Sequence, residues 1–193
     1  MDKKYQVIYS DPPWRYDFSK SDSRKIENQY PTMTVEEICN MKIPSDDNAV
    51  LYLWATAPKL EEALKVMKAW GFQYKSNAIW DKVKIGMGFW FRGQHELLLV
   101  GVKGKFSPPI PSLRIGSVIR EARKAHSKKP DIIREYIGKW YSDKNKLELF
   151  AREKFEGWDV FGNEVNSDVK IKLLEKEIKE EEDEDEEAWW LNK

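Results

Sequence analysis

Tyr5-Gln6-Val7-Ile8-Tyr9-Ser10-Asp11-Pro12-Pro13-Trp14 is a short apolar run that stops abruptly in a carboxylate and two prolines. Val7, Ile8 and Tyr9 favour extended backbone, and the abrupt stop reads as a buried strand reaching its carboxyl end. Open α/β sheets bind their ligands at such ends. Pro12 has no N–H to donate and both prolines have φ fixed, so the turn is expected to be stiff, with its carbonyls left free to accept. The Asp11 carboxylate, those carbonyls and the flat face of Trp14 together suit an amino group carried on a flat ring. The acceptors take its N–H bonds and Trp14 offers a stacking surface. The same tetrapeptide also reads as an ordinary turn with Trp14 in the core, so its context has to decide.

The chain has 193 residues, enough for one domain with a full-sized core. Nine Trp, eight Tyr and eight Phe supply surface for stacking bases as well as for packing. The formal charge of zero conceals a split. From Asp168 to Lys193 there are five Lys against eleven Asp and Glu, a charge of −6, which leaves +6 on residues 1–167. A basic body points to a polyanionic partner, which the acidic tail would oppose or shield. The single Cys39 excludes an internal disulfide and fits a reducing compartment. No amino-terminal signal and no membrane-length apolar run is visible, so the expectation is a soluble, cytoplasmic protein with no membrane partner. Two His and one Cys offer no metal cluster.

Working outward, Arg15 to Pro31 is polar and aperiodic, a candidate cover for the site that includes Tyr16. Thr34-Val35-Glu36-Glu37 is a capping box opening a short helix through Met41. Ala49 to Trp54 reads as a second buried strand. Pro58 to Trp70 reads as a helix with Leu60, Leu64, Met67 and Trp70 on its apolar face and Gly71 after its end. Phe72 to Trp80 and His95 to Val102 are further strands. Between them, Lys82 to Gly93 is basic, Gly-punctuated and aromatic, and Phe89, Trp90 and Phe91 either pack beneath the loop or meet a ligand. Phe106 to Ala125 reads as irregular and basic. Ser127 to Trp140 reads as a helix, and Lys146 to Phe150 and Trp158 to Phe161 as strands. Strands alternating with helices predict an α/β sheet with parallel crossovers. A single domain over residues 1–165 then leaves 166–193 as a charged acidic tail, starting as a helix or disordered, with Trp189 and Trp190 as an anchor for a partner or the body.

With these features placed, seven short motifs stand in order: Asp11-Pro12-Pro13-Trp14; Tyr30-Pro31-Thr32-Met33; Leu51-Tyr52-Leu53-Trp54; His95-Glu96 leading to Val100-Gly101-Val102-Lys103-Gly104; His126-Ser127-Lys128-Lys129-Pro130; Glu148-Leu149-Phe150-Ala151-Arg152; and Trp158-Asp159-Val160-Phe161-Gly162-Asn163-Glu164. The chain resembles the S-adenosylmethionine-dependent adenine methyltransferases of the family that includes the catalytic subunit of the eukaryotic mRNA adenosine methyltransferase, in a small bacterial or phage form. The resemblance implies a Rossmann-like methyltransferase sheet in permuted order, with the catalytic Asp-Pro-Pro-Trp strand first and the cofactor-binding strands late. It implies that Asp11, Pro12, Pro13 and Trp14 are catalytic. It also implies that Asp11, Lys129, Phe150, Arg152, Asn163 and Glu164 hold S-adenosylmethionine, and that Glu96 lies near Lys129 and the target base.

The reaction expected is methyl transfer to the 6-amino nitrogen of adenine, with Asp11 and the Pro12 carbonyl holding the amine and Trp14, Tyr16, Arg92 and Glu96 on the substrate side. A duplex adenine would have to be flipped out, so Arg15 to Pro31 and Lys82 to Gly93 are the expected clamps on nucleic acid. DNA is preferred to RNA on the small form of the chain. The alternatives are the same reaction on RNA, a cytosine amine as target, or a silent subunit that binds nucleic acid or a partner. A homodimer or a protein partner is a further expectation. A dinucleotide oxidoreductase lacks its Gly-x-Gly-x-x-Gly.

Overall fold

The computed structural model describes residues 3–16, 31–123 and 128–173. Residues 17–30 of the expected cover, Tyr30 of the second motif, His126 and Ser127 of the fifth, and the tail from 174 with Trp189 and Trp190 lie outside the described residues.

Among the described residues the strands are β1 (Tyr5–Ser10), β2 (Ser45–Thr56), β3 (Gln73–Asp81), β4 (His95–Lys103), β5 (Val118–Arg120), β6 (Lys146–Leu149) and β7 (Asp159–Phe161). They form one sheet in the order β5-β3-β4-β2-β1-β6-β7. The chain leaves β1 for one side of the sheet and returns to the other side for β6 and β7. The crevice between β1 and β6 therefore lies where the strand order reverses. β1 pairs in parallel with both β2 and β6, so its hook emerges beside two other carboxyl ends.

Alternation along the central strands sends side chains to two buried faces. Ile8, Leu51 and Leu53 pack with Ile38 of α1 (Val35–Cys39) and Ala63, Val66 and Met67 of α2 (Leu60–Ala69). Val7, Tyr9, Val50, Tyr52 and Trp54 pack with Ile133 and Ile137 of α3 (Asp131–Trp140). The sheet is thus the middle of three layers, which is the α/β class the sequence implies.

The structure corrects several local readings. β4 is antiparallel to both β2 and β3, so the crossovers are not all parallel; its hairpin with β3 is joined by the aromatic loop. The stretch read as irregular contains β5, parallel to β3 at the sheet edge and only three residues long. The Thr34–Glu37 capping box forms in both directions, but α1 ends at Cys39 and Met41 leaves it to bridge Leu173. Pro58 lies in a 3-10 turn before α2, and Leu60 and Leu64 stay half exposed while the smaller Ala63 and Val66 face the sheet. Residues 166–173 carry no helix. They return to the body instead, Asp168 N–H donating to the Val160 carbonyl of β7 (2.8 Å) and Lys42 N–H, just beyond α1, to the Lys172 carbonyl (2.8 Å). No helix among the described residues is long and apolar enough to cross a membrane.

Candidate active site

The ends of β1, β2, β6 and β7 and the start of β4 open on a cavity of about 610 Å³, a size that suits a small-molecule cofactor. β4 contributes because it runs the opposite way, which sets Glu96 opposite Thr56 at the end of β2. Asp11, Pro12, Pro13 and Trp14 all line the cavity, as the sequence predicts.

The hook is stiff, but its carbonyls are not idle. Trp14 N–H donates to the Pro12 carbonyl (2.8 Å), closing a three-residue turn around Pro13, whose fixed φ suits that turn. The Pro13 carbonyl accepts from Met33 N–H (2.9 Å), and Trp14 and Met33 form an isolated bridge. Each carbonyl therefore keeps one lone pair, rather than two, for a ligand. Trp14 is only 4% exposed, and its indole N–H donates to the Trp54 carbonyl (3.2 Å). It is a wall of the cavity anchored in the core, which joins the two readings that the sequence left open for it.

Four charges of alternating sign run across the floor. Lys129 Nζ lies 2.7 Å from Asp11 Oδ2 and 3.3 Å from Glu96 Oε2, and Lys82 Nζ lies 3.2 Å from Glu96 Oε1. Burial disfavours the Lys129 ammonium, but the two carboxylates outweigh it and raise its pKa. Burial pushes the Asp11 carboxyl up, with Lys129 pulling the other way. The Lys129 cation at 2.7 Å works against that burial and favours the carboxylate form of Asp11, the form that accepts from an amine. The adjacent lysines diverge: Lys128 pairs with Glu153 (3.1 Å) and Asp131 (3.4 Å), and only Lys129 reaches Asp11.

The opposite wall comes from β6 and β7. Phe150 lines the cavity at φ +61°, a left-handed conformation that a bulky residue rarely adopts and that marks this turn as held by its surroundings. Ala151 N–H donates to the Phe161 carbonyl (3.0 Å). Gly162 must be glycine, since a Cβ there would stand 2.0 Å from the Ala151 carbonyl oxygen. That close approach carries Asn163 and Glu164 to the rim, where Glu164 lies 3.5 Å from the Arg152 guanidinium.

Tyr16 lines the cavity and shares a hydrogen bond with Thr56 (2.7 Å). Arg92 is not brought to the cavity; its guanidinium donates to the Gly86 carbonyl (2.7 Å) within its own loop. The sequence reading missed Thr56 and Trp80, which also line the cavity. A hydroxyl ending a buried run, as Thr56 does, carries the same signal that singled out Asp11. Trp80 carried none, because its place depends on how β3 packs.

The residues present fit S-adenosylmethionine. Lys129 and Arg152 offer cations to a carboxylate, Asn163 and Glu164 offer polar groups to ribose hydroxyls, and Phe150 offers an apolar side between them.

Comparison with known proteins supports the same cofactor. The chain is 35% identical over 192 residues to the type II methyltransferase M.MunI of Mycoplasma sp, covering 89% of this chain and 82% of that one. It is 29% identical to the human N(6)-adenosine-methyltransferase catalytic subunit METTL3, covering 91% of this chain and 30% of METTL3. It is 27% identical to the human N(6)-adenine-specific methyltransferase METTL4, covering 84% of this chain and 38% of METTL4. The chain thus spans only about a third of the length of these two human relatives. The MT-A70 family profile matches residues 5–164, which runs from β1 through both walls of the cavity to Glu164. The chain belongs to the MT-A70 family, whose members use S-adenosylmethionine as methyl donor.

Proposed function

We propose that this chain transfers a methyl group from S-adenosylmethionine to the 6-amino nitrogen of adenine in DNA. The observation that carries the proposal is the Asp11 carboxylate, fixed at the end of β1 by Lys129 at 2.7 Å and facing the Phe150-to-Glu164 wall across one cavity. Bound S-adenosylmethionine supplies a methyl group on a positively charged sulfur. Asp11 and the remaining lone pair of the Pro12 carbonyl accept the two amine N–H bonds, which turns the nitrogen lone pair out of the ring plane and stabilises positive charge developing there. Lys129 favours the ionised form of Asp11 against its burial, and Glu96 pairs with Lys129 from the other side. Trp14 and Tyr16 bound the space left for the base. The permuted strand order is part of this reading: the carboxylate strand comes first in the chain and the cofactor wall last, although they are neighbours in space.

The preference for DNA follows the likeness to M.MunI, 82% of which the chain matches, against 30% of METTL3. The test is transfer of labelled methyl to matched single-stranded DNA, duplex DNA and RNA. Label on DNA adenine that falls at least ~100-fold in Asp11→Ala is expected. Preferential labelling of RNA would overturn the choice of substrate. No label on any of them, from folded protein, would leave the silent-subunit reading.

A further inference from the structure

The loop between β3 and β4 is braced as an extension of their hairpin. Lys82 N–H donates to the Gln94 carbonyl (2.8 Å), Gly86 N–H to the Gly93 carbonyl (2.8 Å) and Gly93 N–H to the Met87 carbonyl (2.9 Å). Arg92 and Gln94 side chains add bonds to the Gly86 carbonyl and the Asp81 carboxylate. The backbone folds on itself so tightly that a Cβ at Gly88 would sit 1.9 Å from the Phe91 carbonyl oxygen, so position 88 admits only glycine. The tip presents its apolar side chains to solvent: Met87 is 86% exposed, Phe89 97%, Trp90 95% and Phe91 91%. Contiguous apolar surface of this kind marks a binding site.

The occupant follows from continuity and charge. Lys82 and Lys84, at the root of the same hairpin, line the active cavity. Residues 82–93 hold three cations and no acid. From Lys84 to Trp90 the chain spans at most about 20 Å, the rise of roughly six stacked nucleotides. We propose that Trp90 and Phe91 stack unpaired bases flanking the adenine that enters the cavity, while Lys84 meets the intervening phosphates. This rests on the nucleic-acid methyltransferase reading above. Aromatic faces stack every base, so the tip adds affinity for single-stranded or opened substrate without choosing its sequence.

The test is fluorescence anisotropy of a labelled single-stranded DNA 16-mer carrying one central adenine, titrated with the full chain and with Trp90→Ser/Phe91→Ser at several salt concentrations. The double variant is expected to bind at least ~10-fold more weakly with an unchanged slope against log salt, because it removes stacking and no charge. Trp90→Phe, which keeps an aromatic face, is expected to restore most of the affinity. Binding equal to that of the unsubstituted chain overturns the proposal. So does conversion of a dimer to a monomer in light scattering with affinity per protomer unchanged, which would make the tip a self-association surface. Anisotropy needs no turnover, so a chain that binds through the tip but transfers no methyl group would sink the proposed reaction and leave this inference standing.

Discussion

Asp11 is pulled two ways. Burial raises its pKa and so does the Glu96 charge, while Lys129 and Arg152 lower it, with burial the larger effect. A protonated Asp11 loses its acceptor character, so kcat/KM for methyl transfer should fall on the acid side with an apparent pKa above the ordinary Asp value of ~3.9. Lys129→Met removes the main opposing group and should move that limb to still higher pH. Glu96→Gln removes a like charge and should move it down. Superimposable acid limbs in all three proteins would show that Asp11 is not the titrating group. These pairings join residues as far apart in sequence as Asp11 and Lys129, and no local pattern announced them. The sequence placed Asp11 at a strand end because a buried run followed by two prolines has few other readings. It overstated the freedom of the Pro12 carbonyl because Trp14 N–H, two residues on, is within reach of it.

Element by element, α3 is fastened to the sheet by Arg134. This side chain lies between Glu148 of β6 (2.9 Å), Asp131 (3.0 Å) and Glu153 (3.0 Å) and stacks on Phe155 at 4.5 Å. Burial alone would lower the Arg134 pKa, but the surrounding carboxylates raise it, while burial raises that of Glu148. Arg134→Met strands Glu148 in the interior and should lower unfolding free energy in urea by about 3–5 kcal/mol. Arg134→Met/Glu148→Leu should recover most of it, and additive losses would exclude a coupled pair. At the turn after β7, Gly162→Ala forces a Cβ onto the Ala151 carbonyl, a backbone atom that cannot rotate aside. We expect a stability loss of about 1–3 kcal/mol together with weaker S-adenosylmethionine binding by calorimetry. Unchanged binding would separate the turn from the cofactor. The helix caps were legible in Thr34 and Glu37 because a capping box is closed within four residues. The direction of β4 was not, since a strand's residues pair equally well either way along the sheet.

For the molecule as a whole, residues 166–173 are held to the body by backbone hydrogen bonds at Asp168 and Lys172, by Val169 and Ile171 packed against the core, and by ion pairs. Asp168 accepts from Lys154 Nζ (2.6 Å) and Val160 N–H (3.0 Å), which lowers its pKa. Burial opposes the Asp159 charge, but hydrogen bonds from Lys3 and Tyr5 outweigh it and its pKa is also lowered. Both carboxyls are more acidic folded than unfolded. The stability they add is whole above the unfolded value of ~3.9 and is lost as pH falls through their lower folded values. Tm should therefore drop below about pH 4. Lys3→Met/Lys154→Met should lower Tm at neutral pH and flatten that acid dependence, and parallel Tm curves would rule the two ion pairs out as its source.

The sequence by itself determined the central strands and what stands at their ends: the alternation that buries β1 and β2 on both faces, the prolines that stop β1 at Asp11, and the ordered motifs from Asp11 to Glu164. Those features act within a few residues, or repeat with the period of a strand or helix, so they are written locally. The resemblance already set Glu96 near Lys129; only the tertiary structure decided that Lys129 bridges Glu96 to Asp11 through a reversed β4 while Lys128 turns away to Glu153, that Trp14 is a buried wall, and that the aromatic tip faces solvent. Each depends on strand order and direction, which are fixed by the closure of long loops and the packing of the two helical layers on the sheet, and no single stretch of the chain contains them.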